Sequence, residues 1–154
     1  MKPRHEICLL IVSLALAGSA FAQEKKIKRS ELPAAVEKTV LEQSKGATIR
    51  GFSEEKENGQ TTYEVEMLVN GRTKDVQMDA NGAVVEIEEQ VDSQAVPAEV
   101  RAGLQVKAGK GKITKIESIT KKGKLVAYEA QVLADGKKSE VQVGPDGRPL
   151  DHEE

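Results

Sequence analysis

The stretch from Tyr63 to Gly82, YEVEMLVNGRTKDVQMDANG, decides the fold of this chain. Apolar residues recur at every second position, Tyr63, Val65, Met67 and Val69, a period of two that is typical of a β-strand with one buried face. Asn70-Gly71 comes next, and both residues tolerate the positive φ angles that a tight hairpin turn requires. Val76 and Met78 then alternate on a returning strand, so the stretch predicts an antiparallel hairpin.

The same phrase occurs a second time, from Tyr128 to Gly147, as YEAQVLADGKKSEVQVGPDG. Apolar and glycine positions in the flanking segments also align, with one extra residue in the second copy near Ala127. Matches that persist over a whole unit indicate an internal duplication. We therefore predict two repeats, residues 23–92 and residues 93–154.

Each repeat opens with a helical pattern. In the first, apolar residues recur at helical spacing from Leu32 to Gln43, with Ser30 as the expected N-cap and Pro33 in the first turn. The second helix is expected from about Val96 to Ala108. Together with the hairpins, these patterns predict an α+β fold. It consists of two tandem repeats, each a helix followed by a three- to four-stranded antiparallel sheet, with the helices packed on one sheet face.

A further strand is expected between each helix and its hairpin. In the second copy it reads KITKIESITKK, and its isoleucines lie three apart, which matches neither period and indicates a β-bulge. We also expect the two sheets to join edge to edge, because joining hides unpaired strand edges.

Residues 1–22 have the organisation of a signal peptide. A basic MKPRHE is followed by the apolar ICLLIVSLALAG and by an A-x-A cleavage site that ends at Ala22. An uncleaved membrane anchor is the alternative, but the apolar run is short for a span. Cys8 opens the apolar run rather than ending it, which argues against a lipoprotein. The expected location is periplasmic or secreted, with no transmembrane span after cleavage.

Composition excludes several classes of function. Cys8 is the single cysteine, so a mature chain has neither a disulfide framework nor a cysteine nucleophile. The net charge of the whole chain is −2, far from the strongly basic balance that nucleic acid binding requires. His152 lies in a polar tail, and DANG is better explained as a hairpin turn than as a calcium loop. We therefore predict no enzyme activity, no catalytic residue, no metal site and no cofactor.

The sequence resembles the PepSY family, particularly its PepSY-like branch. The features that carry the resemblance are a proline near the start of a helix, a Y-E-V strand, a glycine turn and a D-x-x-G turn; they are found at Pro33, Tyr63–Val65, Gly71 and Asp79–Gly82. In the second copy Ala130 replaces the valine and Gly144 the aspartate. A tandem arrangement also looks like the beta-lactamase inhibitor protein fold, in which two units join into one long concave sheet.

This resemblance implies an exported protein that binds another protein. Some PepSY modules lie in the propeptides of secreted metallopeptidases and are thought to restrain the enzyme. We accordingly predict a non-enzymatic binding module of the cell envelope, with an envelope or secreted protein such as a peptidase as its partner. The candidate contact residues lie on the polar side of the predicted sheet: Glu64, Glu66, Glu129 and Gln131.

An alternative function rests on the distribution of charge. Residues 23–92 carry a net charge of −5, whereas residues 93–154 carry +2. Such a basic half is expected to bind an anionic polymer, a lipid headgroup or an anionic peptide, although charge runs are usually solvated surfaces. The candidate residues of this basic patch are Lys115, Lys121, Lys122, Lys124, Lys137 and Lys138.

Overall fold

A computed structural model describes residues 23–57, 59–152 and 154 of the chain. The predicted signal peptide, residues 1–22, lies outside the described residues. The described helices and strands are β1 (Gln23–Lys26), α1 (Ala34–Gln43), β2 (Thr48–Glu57), β3 (Gln60–Val69), β4 (Arg72–Asp79), β5 (Val84–Gln90), α2 (Ala98–Ala108), β6 (Lys112–Lys121), β7 (Lys124–Ala134) and β8 (Lys137–Val143).

All eight strands form one antiparallel sheet, in the spatial order β1-β2-β3-β4-β5-β6-β7-β8. The predicted fold of two tandem helix-plus-sheet units is therefore wrong. β5 pairs with β6 from Glu86↔Lys121 to Gln90↔Glu117, so the edge that would have ended a first sheet is occupied. This pairing satisfies backbone N–H and C=O groups that a free edge would leave open, and it confirms the expected edge-to-edge joining of the sheets. The repeat boundaries at residues 92 and 93 stay a prediction from the sequence.

Both helices pack on the same face of the sheet. Val36 and Val40 of α1 are fully buried against Val65, Met67, Val76 and Met78. Val100 and Leu104 of α2 are likewise fully buried, in a second cluster with Ile116, Ala130 and Val143. The apolar positions that the period of two identified on the hairpin strands thus form the core.

The start of α1 differs from the prediction. Ser30 lies within a short 3-10 turn, Arg29–Glu31, and Pro33 occupies the N-cap position of the helix. Pro33 has an extended ψ angle of 147°, so the chain first turns and then enters the helix. The second helix begins two residues later than expected, again directly after a proline, Pro97.

The hairpin turns and the bulge agree with the sequence. Asn70 and Gly71 have φ angles of 53° and 82°, and Asp135 and Gly136 have 50° and 75°. In β6 the register shifts between Ile113 and Lys115, so the isoleucine spacing of three marks a real bulge. Because of that shift, Ile113 and Ile116 both face α2, whereas Ile119, three residues further along the strand, lies on the opposite face of the sheet.

Two glycine turns pack closely on the helices. A side chain at Gly82 would overlap the carbonyl oxygen of Ala35 in α1, and one at Gly147 would overlap the carbonyl oxygen of Glu99 in α2. Both glycines also have positive φ angles, 77° and 79°. Thr39 fixes the first contact by donating its hydroxyl to the carbonyl oxygen of Gly82 at 2.7 Å. These turns therefore hold the helices on one face and leave the other face of the sheet open.

Candidate functional site

The open face is the sheet face opposite α1 and α2. Side chains alternate between the two faces along a strand, so the residues between the core positions lie on this face. None of the described helices is long and apolar enough to cross a membrane. The principal polar residues of the open face are Glu64, Glu66, Asp75, Gln77, Glu86, Glu88, Glu117, Glu129, Gln131 and Gln142.

A row of carboxylates crosses the middle of the open face. Glu66 on β3 stands directly opposite Asp75 on β4, and Asp75 stands directly opposite Glu88 on β5. Carboxylate oxygens of Asp75, Glu88 and Glu117 all lie within 4.8 Å of one another. Like charges that face each other across strands destabilise a sheet, so this arrangement is costly for folding.

The crowding of these groups changes their acidity. Burial, reinforced by Asp75 and Glu66, raises the pKa of Glu64 to about 7. Burial and the charge of Glu117 raise the pKa of Asp75 to about 6. Burial, together with Glu129 and Glu86, raises the pKa of Glu88 to about 8. Each carboxyl group therefore exchanges its proton near neutral pH, far above the ordinary range for these side chains.

Lys115 compensates one carboxylate of the cluster. Glu117 is only 3% exposed, and its two oxygens already have partners within the chain. The Lys115 ammonium lies 2.7 Å from one oxygen, and the Thr73 hydroxyl donates to the other at 2.9 Å. A divalent cation at the cluster would have to compete with Lys115 for Glu117. Lys115 thus belongs to the interior of the open face rather than to an exposed basic patch.

A groove of about 940 Å³ lies on the open face over β2 to β6. Its acidic residues are Glu55, Glu64, Asp75, Asp79, Glu86, Glu88 and Glu154, and its basic residues are Lys121 and Lys122. The Lys121 ammonium lies 3.3 Å from a carboxylate oxygen of Glu86 and 3.3 Å from one of Glu154. The groove is therefore acidic, with a single ion-paired lysine at the β6 side.

The predicted contact residues of the open face fall into two groups. Glu64 lines the groove, and Glu66 lies beside it and pairs with Lys26 at 3.6 Å. Glu129 lies on β7, opposite Glu117, and accepts a hydrogen bond from Gln142 at 2.9 Å. Burial raises the pKa of Glu129 despite that hydrogen bond.

Gln131 lies one step further along β7, opposite Lys115 on β6 and Glu140 on β8. The four predicted residues therefore share one face of the sheet, but they do not form one cluster.

The structure does not bring the predicted basic patch together. Lys122 and Lys124 flank the β6–β7 turn, whereas Lys137 and Lys138 lie at the β7–β8 turn. These turns are at opposite ends of β7, which at roughly 3.4 Å per residue separates them by roughly 30 Å. Lys121 and Lys115, in turn, are ion-paired on the open face. The six lysines thus provide two small exposed clusters, one at each end of β7.

Sequence reasoning missed three residues of the open face, two that line the groove and one in the carboxylate cluster beside it. Glu86 and Glu88 complete the acidic side of β5, and Glu117 completes the cluster on β6. The EIEE at 86–89, which follows the DANG turn after three residues, places Glu86 and Glu88 at alternate positions and is a sufficient signal for a further strand with a polar face. The approach of Glu117 to Asp75 had no such signal, because it depends on the pairing of β5 with β6.

Comparison with solved structures identifies similar folds. A protein from Bacteroides eggerthii assigned to the periplasm matches with a TM-score of 0.61 and 16% identity, over 77% of this chain and 86% of that one. A DUF2874 family protein from Bacteroides ovatus matches with a TM-score of 0.58 and 17% identity, over 77% and 84%. A protein from Bacteroides fragilis described as BLIP-like matches with a TM-score of 0.54 and 18% identity, over 77% and 83%.

These matches support the expected likeness to the beta-lactamase inhibitor protein fold. The periplasmic description of the first structure agrees with the location expected from the sequence. No protein-family model matches the chain, and no curated protein gives a significant sequence match. The resemblance to the PepSY family therefore stays a prediction from the motifs.

Proposed function

We propose that this protein is an exported, non-enzymatic binding module of the cell envelope, and that its open face is the contact surface for a partner protein. The observation that carries the proposal is the asymmetry of the sheet. One face is sealed by α1 and α2, whereas the other keeps a groove and a set of half-buried charged side chains that no described helix or strand covers. Glu154 reaches this face at its β6–β8 side, where its backbone N–H donates to Gln142 and its carboxylate pairs with Lys121.

The energetic cost of the open face supports this proposal. Glu66, Asp75 and Glu88 face one another across adjacent strands, where neutral or alternating charges would stabilise the sheet better. Natural proteins commonly keep such locally unfavourable features at functional sites and compensate for them elsewhere. The similar BLIP-like fold, which is named for an inhibitor protein, is also consistent with binding through a sheet.

Capture of partners from an envelope extract tests the proposal. The chain without residues 1–22 serves as bait, beside an open-face variant, Asp75→Asn/Glu88→Gln, and a helix-face variant, Glu42→Gln/Glu99→Gln. Both variants replace two carboxyl groups by amides, but Glu42 and Glu99 are exposed on the helices. We expect a protein that the bait and the helix-face variant retain and the open-face variant loses. Equal retention by all three proteins would contradict the proposal.

A peptidase is the finer identity that we propose for the partner. It rests on the PepSY resemblance, in which similar modules restrain secreted peptidases. The direct measurement is hydrolysis of a generic peptide substrate by the extract, with increasing amounts of the protein added. Inhibition that the open-face variant fails to produce supports the identity, and unchanged hydrolysis rates at saturating protein refute it.

The basic residues support a second candidate function, binding of an anionic polymer, a lipid headgroup or an anionic peptide. Lys122, Lys124, Lys137 and Lys138 are exposed and make no ion pair within the described residues. Because they lie at two ends of β7, each pair would act alone, with weak and salt-sensitive binding. Vesicles containing phosphatidylglycerol provide the test, with Lys122→Gln/Lys124→Gln and Lys137→Gln/Lys138→Gln compared separately. Salt-independent binding by both variants would exclude this function.

A further inference from the structure

We propose that the groove on the open face receives an extended, lysine- or arginine-bearing segment of the partner protein, whose cationic side chains pair with Glu64, Asp75 and Glu88. This inference rests on the proposed function, in which the open face binds a protein. Beyond that function, the inference specifies that the partner's segment is cationic and that three named carboxylates of the groove bind it.

The three carboxylates have no cationic partner among the residues that the structure describes. Glu66 pairs with Lys26, Glu86 with Lys121 and Glu117 with Lys115, so neighbouring acidic residues of the open face are compensated. Glu64, Asp75 and Glu88 make no such ion pair with any described residue, although all three line the groove. Cationic side chains of a partner protein would compensate these three carboxylates.

The chain itself shows that ammonium groups bind on this surface. Lys121 extends between Glu86 and Glu154 at the edge of the groove, 3.3 Å from each carboxylate. Lys115 lies against Glu117, with only 21% of its side chain exposed. Two lysine side chains of the chain itself therefore already pair with carboxylates on this face. They lie beside Glu64, Asp75 and Glu88, which have no ion pair with a described residue.

The geometry of the face matches an extended segment. Every second side chain of an extended peptide points in the same direction, roughly 7 Å apart. Adjacent strands of the sheet are about 4.8 Å apart, and the three carboxylates are distributed over β3, β4 and β5. Alternate cationic side chains of one segment can thus reach carboxylates on neighbouring strands.

Binding of a cationic segment should depend on pH. The raised pKa values of Glu64, Asp75 and Glu88 leave these groups partly protonated at neutral pH, and a cation favours their ionised form. Affinity should therefore increase from about pH 6 to about pH 8. The charged groups that face the three carboxylates from the surrounding strands are Glu24, Glu55, Glu66, Glu86, Lys115, Glu117, Lys121 and Glu129.

The experiment measures binding of a labelled peptide by fluorescence anisotropy at low ionic strength. The probe is a short peptide of alternating lysine and alanine, and the comparison peptide has glutamate in place of lysine. We expect the lysine peptide to bind the wild-type chain and the glutamate peptide not to bind. Asp75→Asn/Glu88→Gln should weaken binding of the lysine peptide by about tenfold, because two charge-assisted hydrogen bonds are lost.

The control is Glu42→Gln/Glu99→Gln, which makes the same two carboxyl-to-amide replacements on the helix side. Equal binding of the lysine peptide by both double variants would overturn the inference, as would equal binding of the two peptides by the wild type. If the open-face variant loses its circular dichroism signal, Glu64→Gln replaces it in the same comparison. If a partner protein is lost with the open-face variant but the lysine peptide does not bind, the proposed function holds and the cationic segment is wrong.

Discussion

Asp75 and Glu88 stand directly opposite each other on the adjacent strands β4 and β5, and neither makes an ion pair within the described chain. Two carboxylates in this position repel each other in a partly buried environment. The fold keeps them because the buried apolar residues on the reverse side of the same strands, Val76 and Met78, hold β4 in its register.

Stability should consequently decrease as the pH increases from about 5 to about 8. The pKa values of Asp75 and Glu88 are raised to about 6 and about 8 in the folded chain, above their values near 4 in an unfolded chain. The folded state therefore binds more protons in this interval, and loss of those protons lowers the free energy of unfolding. Thermal unfolding followed by circular dichroism at several pH values measures the effect.

Neutralising Asp75 should remove part of the decrease in stability that accompanies increasing pH. We expect Asp75→Asn to increase the free energy of unfolding by about 0.5–1 kcal/mol at about pH 8 and to change it little at about pH 5. Glu42→Gln, on the exposed side of α1, serves as the control and should leave the pH dependence unchanged. An Asp75→Asn variant that is less stable than wild type at the higher pH would contradict the repulsion.

Lys115 should be a structural residue rather than a surface ligand. Replacing it with methionine leaves Glu117 buried without its cation, and we expect a loss of about 2 kcal/mol or more in the free energy of unfolding. Lys124→Met, at the exposed start of β7, should change stability by less than about 0.5 kcal/mol. Chemical denaturation compares the two variants. Equal midpoints would show that Glu117 does not depend on Lys115.

Gly82 should tolerate substitution much less than Gly71. Both have positive φ angles, so alanine is strained at either position. At Gly71 no atom lies within 4 Å of the added methyl group, whereas at Gly82 the methyl group would overlap the backbone of α1. We expect Gly82→Ala to cost at least about 1 kcal/mol more than Gly71→Ala. If thermal unfolding shows equal losses, the close packing of this turn on the helix is refuted.

The local patterns of the sequence predicted the elements well. The alternation from Tyr63 to Val69 identified a strand and its buried face, and Asn70-Gly71 identified its turn. These features depend on neighbours in the chain, so a single sequence records them. The spacing of Ile113, Ile116 and Ile119 even located a bulge.

Features that depend on pairing between distant strands were not predictable in the same way. The cost of open strand edges predicted that the two sheets join, but the sequence pattern does not identify β5 and β6 as the strands that pair or give their register. The acidic cluster follows from that pairing, since it places Glu117 beside Asp75 and Glu88. The six lysines from Lys115 to Lys138 do not form one patch, because four of them lie at turns at opposite ends of β7 and Lys115 and Lys121 are ion-paired on the open face.

Site-specific photo-crosslinking tests the role of the open face most directly. A photoreactive benzoylphenylalanine is placed at Thr62 in the groove or at Gln131 on β7, and for comparison at Leu41 of α1 or Val106 of α2. Leu41 and Val106 are 54% and 81% exposed, so the helix positions are accessible to any partner. After irradiation in an envelope extract, we expect the same partner adduct from Thr62 and Gln131 and none from Leu41 and Val106. Adducts of equal yield from all four positions, or from the helices alone, would contradict binding through the open face.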